Sequence, residues 1–340
     1  MTKETTLQYQ ALQKGGPFAL VSVPKPEPGP GEVSIRLKVI GLNPLDWKKL
    51  HIGEIVPSWP CVFGLDGAGI VEAVGHGVRD FKPGDEVFSL FGHELRASSF
   101  QEIAIVSEHF VGKRPENLTF EEAATLPICY LTAAASIYYA LKIPLPFLPE
   151  GETSGPQPST ILVLGGSSGV GASAIQILRL ALPTSVILTT SSPQHHEHLR
   201  SLGASEAFDR TSPNLVEDIK SHTPGGKGVE MIIDAVASAA KQTSIFEVLA
   251  EGGPKEYAEV FTGVKIEVPD GVKRNVAFGR NMFQMPGGKH AITALAELVR
   301  QGKYRVPLQI QNAGNGFEAI ARGLEDLRKG VSGTKLVVTV

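Results

Sequence analysis

The sequence predicts an α/β protein in two parts, a β-rich first domain and a doubly wound, mostly parallel sheet, on three observations. Up to about residue 130, short strands sit between glycine and proline turns. From 161 to about 280, strands alternate with helices. At the head of the second region, Ile161-Leu-Val-Leu-Gly-Gly-Ser-Ser-Gly-Val-Gly-Ala172 reads as a strand, a tight turn and a helix start. With 340 residues, 42% of them hydrophobic, the chain is long enough for two cores.

In the first part Glu32-Val-Ser-Ile-Arg-Leu-Lys-Val39 alternates cleanly. Gly69-Ile-Val-Glu-Ala-Val74 and Asp85-Glu-Val-Phe-Ser-Leu90 each follow a turn, so an antiparallel domain or barrel is expected. Thr119-x-x-Glu122 is a capping-box pattern opening an alanine-rich helix over 120–142, and Pro149–Pro158 reads as an exposed loop. The glycine turn then runs Gly166-x-x-x-x-Gly171, with Ser168 where a dinucleotide fingerprint has its second glycine. Backbone groups of Gly166, Ser167, Ser168, Gly169, Val170 and Gly171 would cradle a pyrophosphate at a helix N-terminus; an ordinary buried βα turn is the plainer alternative. Residues 173–182 continue as a helix of mostly small and apolar side chains, and Ser185-Val-Ile-Leu-Thr-Thr190 closes a βαβ unit. A further strand is expected at Val229–Asp234 and the sheet edge at Glu251–Val268. The tail follows with helices near 288–301 and 315–329 and a last strand, Lys335–Val340.

The end of the second strand selects the cofactor. A site for NAD usually places an acid there, but the chain reads Thr189-Thr-Ser-Ser-Pro-Gln-His-His196, with none before Glu197. NADPH is therefore expected, with Ser191, Ser192 and His195 meeting its 2′-phosphate and Arg210 supplying a cation from the loop after the next strand. His196 and His198 read as the solvated start of a helix. Asp234 reads as a turn residue, and Met282, Phe283 and Met285 either line an apolar pocket or belong to core.

Composition narrows the field further. A net charge of −3 with scattered charges offers no footprint for nucleic acid, and no stretch of eighteen uninterrupted apolar residues suggests a membrane span. The polar, proline-rich first thirty residues lack the apolar centre of a signal peptide, so a cytoplasmic protein is expected. Two cysteines, Cys61 and Cys129, make neither a disulfide framework nor a C-x-x-C zinc site.

Several ordered landmarks resemble the medium-chain dehydrogenase/reductase superfamily: Pro28-Gly-Pro-Gly-Glu-Val33, Gly41-Leu-Asn-Pro-Leu-Asp-Trp-Lys48, Gly64-Leu-Asp-Gly-Ala-Gly-Ile-Val-Glu-Ala-Val-Gly75, Lys82-Pro-Gly-Asp-Glu-Val87, Ala123-Ala-Thr-Leu-Pro127 and Leu202-Gly-Ala204. The glycine turn, the Asn-Pro-x-Asp-x-Lys run and Ile143-Pro-Leu-Pro146 look most like fungal stand-alone (trans-acting) enoyl reductases and related zinc-binding alcohol dehydrogenase-like oxidoreductases. The resemblance implies a GroES-like β-rich catalytic domain over 1–130, a Rossmann nucleotide domain over 131–285 and a segment, 286–340, returning to the first.

Zinc-dependent members carry a cysteine at the place of Asn43 and Gly-His-Glu at the place of Gly64-Leu65-Asp66, so no metal is expected. Reduction of a conjugated carbon–carbon double bond in secondary metabolism suits such a site. By resemblance Asn43 and Lys48 are the candidate catalytic residues. Asn43 either orients cofactor or substrate or merely forms an Asx turn with Pro44, and Lys48 either donates a proton, holds phosphate or is an exposed helix lysine. The stretch Gly53–Pro57 holds no tyrosine to donate the proton. The resemblance also places Thr132 near the nicotinamide ribose, Lys335 near the cofactor phosphates and Phe261 near the carboxamide. An enone or enoyl substrate, free or synthase-bound, and a monomer or homodimer follow. A quinone or carbonyl reductase, or a non-catalytic NADPH-binding partner protein, would share the same cofactor residues.

Overall fold

The computed structural model describes residues 4–53, 56, 58–92 and 94–340, so most of the tyrosine-free Gly53–Pro57 stretch lies outside the described residues. In chain order the elements begin with β1 (Thr5–Ala11), β2 (Phe18–Pro24), β3 (Glu32–Gly41), α1 (Pro44–Ile52), β4 (Cys61–Val62), β5 (Asp66–Val74), β6 (Glu86–Leu90), β7 (Ile103–Ser107), β8 (Val111–Lys113) and α2 (Phe120–Ala123). Then come α3 (Pro127–Ala135), β9 (Thr160–Leu164), α4 (Gly169–Ala181), β10 (Val186–Ser191), α5 (His196–Ser201), β11 (Glu206–Asp209), α6 (Leu215–Ser221), β12 (Met231–Asp234), β13 (Glu256–Val260) and β14 (Lys273–Ala277). The tail holds α7 (Ala291–Arg300), β15 (Gln309–Asn315), α8 (Glu318–Lys329) and β16 (Thr334–Thr339).

Two compact units result: residues 1–128, 295–301 and 309–340 form the first, and 129–294 with 302–308 the second. The segment expected to return whole to the first domain, 286–340, is thus divided between them. In the first unit β3 is the organising strand. It pairs antiparallel with β5, and it also pairs with β7 over Glu32–Arg36 and with β16 over Val39–Gly41. Register shifts at Ser34/Ile35 and Leu37/Val39 bend it between these partners. Val33, Ile35, Leu37 and Ile40 of β3 enter one core with Ile320 and Leu324 of α8 and Leu336 and Val338 of β16. Helix α8 buries Ala319, Ile320, Gly323, Leu324 and Leu327, a stripe at helical spacing, so the far end of the chain completes the first unit's core.

The second unit holds a six-stranded sheet in the order β11-β10-β9-β12-β13-β14, with every pairing parallel. Fully buried β9 (TILVL) sits at its centre, where the connections turn from one side of the sheet to the other. A parallel sheet binds ligands outside its carboxyl ends at that reversal.

Two expectations need correction. The helix expected over 120–142 breaks at Ala124–Leu126: Thr119 does cap α2 by accepting from the Glu122 N–H while Glu122 accepts from the Thr119 N–H, but a residue before proline avoids the helical region, and Pro127 starts α3 afresh. The last five residues, Ser136–Ala140, close as a π turn. The sheet edge is β14, not the Glu251–Val268 stretch, whose strand β13 is covered on both sides. Strands β14 (KRNVA) and β15 (QIQNAGN) are largely polar and leave little alternation to read.

Ile320→Ala should cost about 2–5 kcal/mol of stability, because the side chain is fully buried in the first unit's core, and denaturant titration of the full chain checks it.

Candidate active site

In the second unit the glycine turn joins β9 to α4. Ser168 is the N-cap of α4: its hydroxyl accepts from the Gly171 N–H at 3.0 Å and donates to the Gly165 carbonyl at 2.8 Å. A serine replaces the fingerprint's middle glycine because this position does capping work. The flanking glycines are sterically required. A Cβ on Gly171 would lie 2.2 Å from the Gly165 oxygen, and one on Gly166 2.1 Å from Thr189 Oγ1. Helix α4 therefore starts tight against the carboxyl end of β9, with first-turn N–H groups directed out of a 13-residue helix, which fits a pyrophosphate.

Strands β10 and β11 pair through Ser191 and Asp209, and the Arg210 N–H donates to the Ser191 carbonyl, so the candidate 2′-phosphate residues converge at one corner of this sheet. Ser191 itself is buried and its hydroxyl turns to the Ser192 carbonyl at 3.1 Å, which removes it from the phosphate set. Ser192 and His195 are only partly buried, and Arg210 is exposed. Burial, reinforced by His198, His196 and Arg210, lowers the His195 pKa and favours the neutral imidazole. The acid ending β11, Asp209, accepts from the Thr211 N–H and hydroxyl in its own turn. Asp234 likewise accepts from the Val236, Ser238 and Ala239 N–H groups and the Tyr257 hydroxyl, as a turn residue should. Thr132 lies buried on α3, its carbonyl accepting the Ser136 hydroxyl. The Phe261 N–H is taken by the Ala277 carbonyl, and Met282 is fully buried as core.

The first unit carries a buried charge cluster that local sequence patterns do not announce. Asp66 opens β5 and is fully buried; its Oδ2 accepts from the Lys335 ammonium at 2.9 Å and the Asn43 amide at 3.0 Å, and its Oδ1 from the Ile128 N–H at 2.8 Å. Lys335, placed by resemblance near cofactor phosphates, instead points its Nζ at Asn43 Oδ1 (2.5 Å) and Asp66. Asn43 spends its second amide hydrogen on the Gly41 carbonyl at 3.3 Å. Both its amide hydrogens are committed, so it has none for a substrate oxygen. Beneath it, Asp46 accepts from the Asn43 N–H at 2.9 Å and the Gly64 N–H at 3.3 Å. Burial is the main reason that its pKa rises to about 6, against the pull of nearby Lys49. Lys48, half-buried on α1, has its ammonium 5.8 Å from the Trp47 ring centroid, and burial lowers its pKa.

A parallel sheet with a glycine turn at its reversal, together with a β-rich unit completed by the chain's tail, defines a nicotinamide-dependent oxidoreductase. The alcohol dehydrogenase GroES-like domain family matches residues 29–116, and the zinc-binding dehydrogenase family residues 169–255. The trans-enoyl reductase RAP2 of Pyricularia oryzae is 31% identical over 96% of both chains, and the dehydrogenase azaJ of Aspergillus niger 29% identical over 98% of this chain and 99% of its own. Among solved structures, the CurK enoyl reductase superposes with a TM-score of 0.77 at 25% identity over 99% of each chain. An alcohol dehydrogenase superfamily protein from Novosphingobium aromaticivorans, at 23% identity, shares the fold with a TM-score of 0.81 over 99% of this chain and 100% of its own. The chain belongs to the medium-chain dehydrogenase/reductase superfamily, within its fungal enoyl reductase-like group.

Zinc, which one family description implies, does not suit these residues. Asn43 and Leu65 offer no thiolate or imidazole, and the Asp66 carboxylate is saturated by an ammonium that repels a second cation. Among the described residues, no three His, Cys, Asp or Glu side chains gather to hold a metal ion.

The folded Asp46 carboxyl holds its proton more tightly than an unfolded one, so the folded state binds more protons between about pH 4 and 6 and loses relative stability as pH rises through that window. Urea titrations from pH 4 to pH 7 should show this decline in the native chain and its loss in Asp46→Asn, which cannot titrate.

Proposed function

We propose that the chain is an NADPH-dependent, zinc-independent reductase of carbon–carbon double bonds conjugated to a carbonyl, acting in secondary metabolism on a small enone or a synthase-borne enoyl chain in the cytoplasm. The observation that carries this reading is the Lys335 ammonium bonded to Asp66 and Asn43, two of the three positions where zinc-dependent relatives offer ligands to the metal that polarises an alcohol or ketone oxygen. Conjugate reduction makes a smaller demand on the protein, because charge on the developing enolate is spread and hydrogen bonds suffice to hold it. The names of relatives such as the trans-enoyl reductase RAP2 point the same way.

In this reading the reduced nicotinamide, once bound, supplies the hydride, and the protein binds, orients and protonates. The turn from Gly166 to Gly171 holds the pyrophosphate. Ser192, His195 and Arg210 receive the 2′-phosphate, at a corner where the one neighbouring strand-end acid, Asp209, is turned away into its own loop. Lys48 supplies the proton: burial lowers its pKa below that of an ordinary lysine, which makes its ammonium the stronger acid. Asn43 and Lys335 act as a positioning pair and not as donors.

Ser192→Asp should raise the NADPH dissociation constant at least about tenfold and spare NADH, since a carboxylate beside the 2′-phosphate repels it. Fluorescence titration with both cofactors checks this, and an unchanged NADPH affinity would remove Ser192 from the site.

NADPH oxidation followed against enones, enoyl thioesters, quinones and aldehydes, with and without a chelator, tests the reaction itself. Chelator-resistant turnover confined to enones or enoyl thioesters is expected. Turnover with quinones or aldehydes alone would replace the reading with carbonyl or quinone reduction.

A further inference from the structure

At the amino edge of the second unit's sheet, away from the glycine turn, lies a cleft of about 540 Å³ that the proposed cofactor site does not use. In the parallel register Met231 of β12, Glu256 of β13 and Lys273 of β14 are successive neighbours, and each is the first residue of its strand. Side chains in register on adjacent parallel strands share a face of the sheet, and Asn275, two residues after Lys273, shares it too. Residues 140–142, where the helical segment after α3 ends, and 156–158, just before β9, close the cleft over that face. The length of the strands separates it from the carboxyl edge by roughly 15 Å.

The cleft has an apolar floor and a polar rim. Ala140, Leu141, Pro158 and Met231 are buried, and Pro156, Pro158 and Pro254 bring no N–H. On the rim the carboxylates are already engaged. Glu256 accepts from the Lys273 ammonium and the Asn275 amide, each at 3.1 Å, and Glu230 accepts from the N–H and hydroxyl of Ser159. Two donor groups remain open. The Lys142 ammonium lies 4.9 Å from the Tyr139 ring centroid and makes no hydrogen bond or ion pair among the described residues, and the Gln157 side-chain amide makes none either. Of the four charged groups that line the cleft, Lys142 alone therefore lacks a polar partner. Its φ is 59°, just past a helix end, where glycine is the usual residue, so the chain keeps a lysine on left-handed backbone at this rim.

Small-molecule sites occupy roughly 300–1,000 Å³ and combine an apolar lining with a few placed polar groups. An open ammonium beside an apolar floor is complemented by an anion whose body is apolar. We propose that this cleft is a second small-molecule site, for a carboxylic acid with a flat apolar body that lies on Leu141 and Met231 and brings its carboxylate to Lys142 and Gln157. The site stands apart from the glycine turn and the phosphate corner, so the acid and a nicotinamide cofactor bind together. It does not depend on the reductase reading, because its occupancy is read without turnover.

Calorimetric titration of the full chain with 2-naphthoate, and with the uncharged 2-naphthylmethanol, tests the site. Native protein should bind 2-naphthoate saturably and the alcohol at least about tenfold more weakly, as expected when a charge-assisted hydrogen bond is lost. Lys142→Gly removes the ammonium and suits the left-handed backbone, so the fold is kept. It should weaken naphthoate binding about tenfold, whereas Lys142→Arg, which keeps the charge, should hold it within about threefold. Saturating NADPH should move the naphthoate affinity by less than about twofold in native protein and in both variants. Absence of saturable binding, equal affinity for acid and alcohol, displacement of naphthoate by NADPH, or an affinity indifferent to Lys142→Gly would each overturn the proposal.

Discussion

The first unit is tied together by one buried carboxylate. Asp66 reaches the Lys335 ammonium on β16, the Asn43 amide at the start of α1 and the Ile128 N–H near the start of α3, while its own backbone pairs with Gly41 of β3 and Leu90 of β6. Taking an ammonium and a carboxylate out of water costs several kcal/mol per ion, and the attraction between them offsets this only with close geometry and further hydrogen bonds. Here Asn43 lies between the charges, donating to one and accepting from the other. Losing any one of the three would strand a buried charge or amide, which is more expensive than the pair is stabilising. Residues 269 and 292 positions apart in the chain are thereby held to one register, and the strand Thr334–Thr339 must close on β3 for the first unit to be complete.

The same arrangement leaves this site unsuited to the metal that the superfamily's zinc-binding branches hold. A cation already neutralises the carboxylate, and the asparagine replacing a thiolate is useful because a neutral amide can serve acceptor and donor at once. Asp46 extends the cluster in the opposite sense. Its carboxyl is fully buried against the Asn43 and Gly64 N–H groups, and the nearby Asp66 charge adds to burial in raising its pKa. The cluster therefore combines one firmly paired acid with one that is held close to neutrality by its surroundings.

The sheet of the second unit and its glycine turn were legible in the sequence because they rest on local signals. An apolar run of strand length, glycines at positions where no Cβ fits and a helix of small residues are all contained within 22 positions, and the serine that breaks the fingerprint is explained by a rule that is itself local, N-capping. What escaped was either weakly patterned or distant. Strand β15 is polar along most of its length, and β14 joins the sheet through backbone pairing that its charged residues do not advertise. The break before Pro127 shows an alanine-rich pattern overridden by one residue's backbone geometry. Nothing local ties Lys335 to Asp66. The one available signal was a lysine heading the otherwise apolar strand Leu336–Val338, a position that demands a buried partner.

Strand order also divides the work along the carboxyl edge of the second unit's sheet. On one side of β9 the ends of β10 and β11 carry hydroxyls, imidazole and guanidinium, the chemistry that receives a phosphate. On the other side β12, β13 and β14 end in valine and two stacked phenylalanines. A ligand anchored at the glycine turn therefore meets a polar direction and an apolar one. Parallel strands make this possible because every strand in the sheet brings its carboxyl end to the same edge, so the side chain two residues past each end is set independently of its neighbours. Residues such as Ser192 and Phe278 lie just past their strand ends, so changing either leaves the strands that hold the turn in place untouched, and the two directions can vary separately on one scaffold.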